Sequence, residues 1–422
     1  MLDMQFIREN ADLVKQASIN KKDDADIDLL LSLDEKRRAI IGKGEKLKHR
    51  RNQASNEINR LKKDKKSADD VITEMRTVSA EIKGLDKDLK EIEEQIAAKM
   101  ERVPNVPHES VVHGESEEDN VVVSEWGDVP DYDFELKDHM QLGTALDLFD
   151  FKRGAKISGA GFPVYKGYGA LLDRALINFM LDRHTKNGYR EVSPPFLTNS
   201  KSNFGTGQLP KSRDQMYYVG EDDLFAIPTA EVPVTNLHRG EILSAEELPL
   251  KYCAYSACFR REAGSYGKDT KGFLRVHQFN KVELVKFVEP EKSYNELELL
   301  RADAESVLQA LGLKYRVLAL CDADLSFAAA KCYDLEVWAP GEKKFLEVSS
   351  CSNFEDFQAR RIDIKYRPDS GSKARYVHTL NGSGVATARI LVALLETFQT
   401  FAGTVKIPEV LQPYMHGMKE IC

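Results

Sequence analysis

No stretch of the 422 residues approaches the roughly 18 uninterrupted apolar residues that a membrane-spanning helix needs, and mean hydropathy is −0.43. A soluble globular chain is expected. The six cysteines (Cys253, Cys258, Cys321, Cys332, Cys351 and Cys422) form no CxxC pair, and the nine histidines make none of the short zinc-binding spacings. That argues against a disulfide scaffold or a zinc ribbon and predicts reduced thiols in a cytosolic chain. Neither a GxxxxGK[ST] phosphate loop nor a strand-linked GxGxxG is present, so any nucleotide has to be held outside the P-loop and Rossmann schemes. The amino terminus, MLDMQFIRENADL, lacks both the basic-then-apolar order of a secretory signal and the acid-poor character of a transit peptide. Export is not expected. Internal repeats and low-complexity segments are missing as well, and the length suits two or three domains at about 150 residues each.

What is there begins with charge. The net charge of −8 argues against a sequence-independent polyanion binder, yet the average conceals an asymmetry. Residues 36–66 carry thirteen Lys/Arg against Glu45, Glu57 and Asp64, a net +10, whereas 69–101 carry ten carboxylates against five basic residues. In the acidic segment Val71, Met75, Val78, Ile82, Leu85, Leu89, Ile92 and Ile96 alternate steps of four and three, the seam of a heptad. In the basic segment Leu33, Ile40, Leu47, Ala54 and Leu61 recur every seven residues, with Arg37, Gly44 and Arg51 spoiling the seam. The pattern predicts an antiparallel helical hairpin that reverses at 62–67 and ends where VPNVP (103–107) stops the helix. A solvated spacer or dimerisation arm and a polyanion-binding arm both fit these charges.

From about residue 138 the texture changes to apolar runs, glycines and short turns, as in a mixed α/β domain. The stretch 258–285 reads as strand, loop, strand. Alternation puts Arg260 and Glu262 on one face of the first strand, and Arg275, His277, Phe279, Lys281 and Glu283 on one face of the second. Arginines on strands offer phosphate a fixed fork of donors, and a neighbouring carboxylate accepts from an amine. A nucleotide floor fits this face, and so do cross-strand ion pairs on an exposed sheet. Residues 334–338 and 345–350 read as two further strands, the second aligning Glu347 with Ser349 as an ordinary hairpin or as oxygen ligands for a hard cation. In 378–391 a small polar turn opens a helix with Leu391, Leu394, Leu395 and Phe398 on its apolar face. Arg389 lies in its early turns, where it and the helix dipole favour a phosphate, and a plain N-cap at Ser383 is the alternative.

Taken together these stretches resemble the class II aminoacyl-tRNA synthetases, and within them the seryl-tRNA synthetases. The first class motif resembles the 171–188 helix ending near Pro194 and Pro195. The second resembles Arg260, Arg261 and Glu262 with the loop to Arg275 and Phe279, and the third the glycine-rich turn leading to Arg389. Seryl-specific signals are GTGQLPK (205–211), TAEVPVTN (229–236), HQFNKVE (277–283) and HTLNGSG (378–384), with the basic amino-terminal hairpin. Two departures stand out: Ala388, where many relatives carry glycine, and Cys332, where threonine is frequent.

The resemblance implies an α+β fold: an antiparallel catalytic sheet flanked by helices, preceded by a long antiparallel coiled-coil hairpin. It implies a helical domain over 1–102 whose arm grips tRNA(Ser), a linker over 103–120 and a catalytic domain over 121–422, acting in the cytoplasm as a homodimer. ATP and L-serine are the implied small substrates with Mg2+ as cofactor, and tRNA(Sec) is left open as a second acceptor. Arg260 would hold the α-phosphate, Glu262 the adenine amino group, Phe279 the adenine face, and Arg275 and Arg389 the outer phosphates. Arg261, Val276, Val348 and Ser349 complete the implied ATP site, and Glu347 and Ser350 would position Mg2+ and phosphate. Thr229, Ala230 and Glu231 form the implied serine pocket together with Arg260, with Glu283 on the ammonium and Asn381 or Ser383 near the hydroxyl. The implied reaction joins the serine carboxylate to the α-phosphorus, expels pyrophosphate and passes the acyl group to the tRNA. The alternative is a paralogue that keeps the fold as a binding protein after losing the chemistry.

Overall fold

The computed structural model describes residues 1–263 and 271–422. Most of the polar loop read between the two strands at 258–285 therefore lies outside the described residues. The chain divides into two compact units, 2–104 and 105–422.

In the first unit two short helices precede α1 (Ile27–Lys63) and α2 (Asp69–Met100). Their 37 and 32 residues give lengths of about 55 and 48 Å at 1.5 Å per residue. Asp26 caps α1 by accepting the Leu29 amide, and α2 opens with Asp69 and Asp70 in its first turn, where the helix dipole favours carboxylates. The seam is as the heptads indicate. Met75, Val78 and Ile82 are buried against Ala54, with Leu47, Ile58 and Val71 packed around them. Lys43–Glu81, Lys48–Asp86 and Arg50–Glu74 pair across the hairpin at 2.7, 3.2 and 2.9 Å. These are exposed pairs, each stabilising by about 0–1 kcal/mol, so the apolar seam contributes more. Most of the basic side chains of α1 face outward.

The second unit is built on one eight-stranded sheet: β1 (Val121–Trp126), β2 (Arg190–Glu191), β3 (Leu250–Phe259), β4 (Gln278–Val288), β5 (Tyr315–Ala319), β6 (Lys331–Ala339), β7 (Lys344–Asn353) and β8 (His378–Ala386). Their spatial order is β1-β5-β6-β7-β8-β4-β3-β2, antiparallel throughout except for β2 beside β3. One face is covered by α4 (Gly167–Lys186), α5 (Ser293–Leu311) and α6 (Thr387–Thr397), with α3 (His139–Ala145) alongside α6. Val282, Leu284, Leu335 and Val337 from the strands meet Leu172, Leu176, Leu300, Leu308, Leu391 and Leu394 from these helices in a single buried core. Each such side chain stabilises by about 1.5–3 kcal/mol on full burial.

Three local expectations are corrected here. Residues 273–277 are turn and bend, and strand β4 begins only at Gln278. The stretch 378–386 is strand β8, paired with β4 and β7, so Ser383 is no helix cap; α6 starts at Thr387 after Ala386. Strand β7 carries a bulge at Val348, since Glu347 pairs with Glu336 and Ser349 already with Leu335. The bulge flips the alternation, so Ser350 rather than Ser349 shares the face of Glu347.

Candidate active site

The open face of the sheet forms the floor of a cavity of about 620 Å³, within the range of small-molecule sites. Register explains why this face is open. Phe279, Lys281 and Glu283 of β4 stand opposite Cys258, Ser256 and Ala254 of β3, three small side chains that leave room above the floor. Glu283 also faces Ser383 across the β4–β8 pairing, and Asn381 Nδ2 donates to its Oε1 at 3.2 Å.

Of the residues singled out in the sequence, Thr229, Glu231, Arg260, Glu262, Arg275, Val276 and Phe279 line this cavity. So do Glu283, Glu347, Val348, Ser350, Asn381, Ser383 and Arg389. Three others lie away from it. Ala230 is wholly buried in the core, Arg261 is exposed, and Ser349 turns inward to donate to the Ser383 carbonyl at 2.6 Å.

Three arginines enter from three separate segments. Arg260 follows β3 directly, its amide donating to the His277 carbonyl, and its guanidinium lies 5.2 Å from the Phe279 ring centre. Arg275 pairs with Glu262 at 3.0 Å. Strand alternation does not place Glu262: the strand ends at Phe259, and Glu262 has φ +49°, a left-handed conformation uncommon for a residue with a Cβ. Arg389 donates to the Glu347 carbonyl at 2.8 Å and to the Leu274 carbonyl at 3.3 Å, tying the first turn of α6 to β7 and to the 273–277 segment.

The cavity also has acidic lining. Glu231 sits in a short helical turn with its carboxylate buried, held by Gln358 Nε2 at 2.7 Å, and Gln358 is itself fixed by Thr379. Burial, and next the Glu283 carboxylate nearby, pushes Glu231 up to about 7. Lys281 lies against Glu283 at 2.5 Å, both buried. At the β6–β7 side burial, then Glu347, pushes the Asp334 carboxyl well above its ordinary range, and Ser350 Oγ lies 3.1 Å from Cys332 Sγ. Burial raises the Cys253 and Cys351 thiols to about 12, so both are inert, and all six cysteines are unpaired.

Sequence reasoning put Lys281 on the floor face between Phe279 and Glu283 but gave it no role in the site, whose lining it joins. It missed Gln358, which reaches the site only through tertiary packing and carries no local signal. Thr206, Gly207 and Gln208, inside the GTGQLPK stretch, form part of the wall.

Residues 217–398 match the tRNA synthetase class II core domain (G, H, P, S and T), the class that the antiparallel sheet and its three arginines define. Residues 1–107 match the seryl-tRNA synthetase N-terminal domain. The chain is similar to the serine–tRNA ligase of Chloroherpeton thalassium, 57% identical over 98% of this chain and 99% of that one. It is similar also to that of Geotalea uraniireducens, 54% identical with 100% of both chains covered. Among solved structures it is similar to the seryl-tRNA synthetase from Pyrococcus horikoshii complexed with ATP, with TM-score 0.96 and 39% identity over 100% of this chain and 99% of that chain. The chain belongs to the seryl-tRNA synthetase family.

Proposed function

We propose that the chain is a serine–tRNA ligase that condenses L-serine with ATP to seryl-adenylate and pyrophosphate, then transfers the seryl group to the 3′ end of tRNA(Ser). The observation that carries this reading is one cavity lined both by three arginines and by a buried pair of carboxylates. Arg260, Arg275 and Arg389 suit a polyphosphate, and the buried Glu231–Glu283 pair suits the ammonium of an amino acid. Phe279 offers a face for adenine and Glu262, in its left-handed turn, an acceptor for the adenine amino group. Asn381 and Ser383 lie beside Glu283, where a serine hydroxyl finds partners.

The serine carboxylate is already ionised and serves as nucleophile without a general base. Arg260 stabilises charge at the α-phosphate while the arginines and the carboxylate pair hold the reactants in line. A buried partner for the serine hydroxyl disfavours alanine, which leaves that partner unpaired. Mg2+ accompanying ATP fits the donor set: Glu347 and Ser350 are hard oxygen donors on one face of β7, and Asp334, its carboxyl pushed up by burial and then by Glu347, pairs with Ser350 from β6. When bound it neutralises charge on the outer phosphates.

For the rest of the chain the reading assigns 1–102 to tRNA binding through the basic arm, 103–120 to a linker and 121–422 to catalysis, in a cytoplasmic homodimer. Among the described residues no helix is long and apolar enough to cross a membrane. The test is aminoacylation of total deacylated tRNA with ATP and Mg2+, with alanine, threonine and cysteine as competitors and tRNA(Sec) as an added acceptor. Selective serine charging is expected. Absence of both charging and serine-dependent pyrophosphate exchange in a folded protein would overturn it in favour of the paralogue.

A further inference from the structure

Residues 271–277 carry Arg275 and Val276 into the cavity, yet they belong to no strand. Ladder hydrogen bonds therefore do not set the position of Arg275, and other contacts have to. On the return toward β4, the backbone at Gly272 passes directly over the His139 imidazole. A Cβ at Gly272, which has φ +58°, would lie 2.3 Å from His139 Nε2. The next amide, of Phe273, donates to that same Nε2 at 3.4 Å. Lys271, one residue earlier, pairs with Asp138 at 2.7 Å, and Asp138 is the N-cap of α3.

His139 is wholly buried and held from behind. Its Nδ1 lies 3.1 Å from Glu396 Oε1, and its own amide donates to the same oxygen at 2.9 Å. Glu396, on the last turn of α6, accepts the Gly341 and Glu342 amides on its other oxygen at 2.9 and 3.1 Å. With a carboxylate at Nδ1 and an N–H at Nε2, the imidazole carries its proton on Nδ1 and accepts at Nε2. His139, Glu342 and Glu396 are close enough together to hold a metal ion. Three N–H donors and the Nδ1 proton already occupy Glu396, and the Lys271 ammonium lies 3.6 Å from Glu342, so cation ligation is disfavoured.

We propose that His139 is a positioning residue for ATP: anchored on Glu396, it seats the 271–273 backbone and so aims Arg275 at the outer phosphates. The proposal rests on the reading of Arg275 as an ATP ligand. Phe273, fixed between Phe149 at 4.5 Å and Phe151 at 5.1 Å, transmits the seating, and Arg389 grips the next carbonyl, that of Leu274. Helix α6 thus holds this segment from both of the helix's own ends, directly through Arg389 in its first turn and, by way of His139 on α3, through Glu396 in its last.

The experiment is serine-dependent pyrophosphate exchange on the full chain, with KM for ATP and for serine measured separately in His139→Leu, His139→Gln and Arg275→Ala. His139→Leu is expected to raise KM for ATP about tenfold while KM for serine moves less than about twofold. His139→Gln, whose amide oxygen can accept the Phe273 N–H, is expected to recover most of that loss. Equal rises in both KM values, or no rise in a folded Leu variant, would overturn the proposal. If the Leu variant does not fold, Gly272→Ala carries the test, because its methyl has to displace the imidazole. About a fivefold rise confined to KM for ATP supports the proposal, and no rise or parallel rises overturn it. Arg275→Ala separates the two levels: if it leaves KM for ATP unmoved, the reading of the ATP site itself fails. A rise there with none in His139→Leu rejects the positioning role alone.

Discussion

Glu231 sits in an environment that makes a specific demand on pH. Its carboxyl is pushed up to about 7 by burial and by Glu283, against an ordinary value of 4.5. The folded chain therefore holds this proton more tightly than the unfolded chain. The associated stabilisation is complete below about 4.5 and is lost as pH rises through about 7. On the proposed reading serine brings an ammonium to the Glu231–Glu283 pair, which favours the ionised form and expels the proton. Serine affinity is therefore expected to tighten as pH climbs through about 7, with proton release on binding. Calorimetric titrations in two buffers of different ionisation enthalpy would read this directly. Glu231→Gln should bind serine more weakly, release no proton, and show a flatter dependence of Tm on pH between about 5 and 8. An unchanged pH dependence in that variant would reject the account.

At the scale of elements, the arm is the part most open to local change. A Cβ built on Gly42, Gly44 or Gly84 meets nothing within 4 Å, and none of the three has positive φ. Glycine in a helix interior costs about 1 kcal/mol relative to alanine, so Gly42→Ala with Gly84→Ala is expected to stabilise the hairpin by about 1–2 kcal/mol. Backbone hydrogen exchange confined to 27–100 would report it as slower exchange, and faster exchange would show that the arm needs these breaks. The arm was legible from sequence because its pattern is local: seam residues recur at fixed steps along one helix, and the charge reversal at 66–69 marks the turn. The site was legible by motif and much less so by alternation. Glu347 and Ser350 share a face only because Val348 bulges out against β6, and nothing in 345–350 records which residue of the partner strand opposes it. Ser383 looks like a helix cap in isolation, since glycines flank it, and becomes a strand residue because β4 and β7 both hydrogen-bond to β8. Glu262 fails the alternation for a third reason, a left-handed turn just past the end of β3.

For the whole molecule, on the proposed reading, the two compact units divide the work by charge. The 105–422 unit has its own continuous core and contains every residue that lines the cavity. The net +10 of 36–66 belongs to the other unit, on a helix whose cross-hairpin ion pairs use Lys43, Lys48 and Arg50 and leave an excess of exposed cations. On the proposed reading serine activation needs only the 105–422 unit, whereas a polyanionic tRNA needs both units. Deleting 36–98 is therefore expected to leave serine-dependent pyrophosphate exchange within about threefold of the parent while charging falls by a hundredfold or more, of order 3 kcal/mol. In the full chain the tRNA affinity should fall steeply with salt, because each phosphate neutralised by Lys or Arg releases counterions, whereas KM for serine should change little over the same range. The truncated chain should lose most of that salt dependence along with its affinity. Equal charging by both chains, or equal salt slopes, would make the arm a spacer whose charge serves only to pair its two helices.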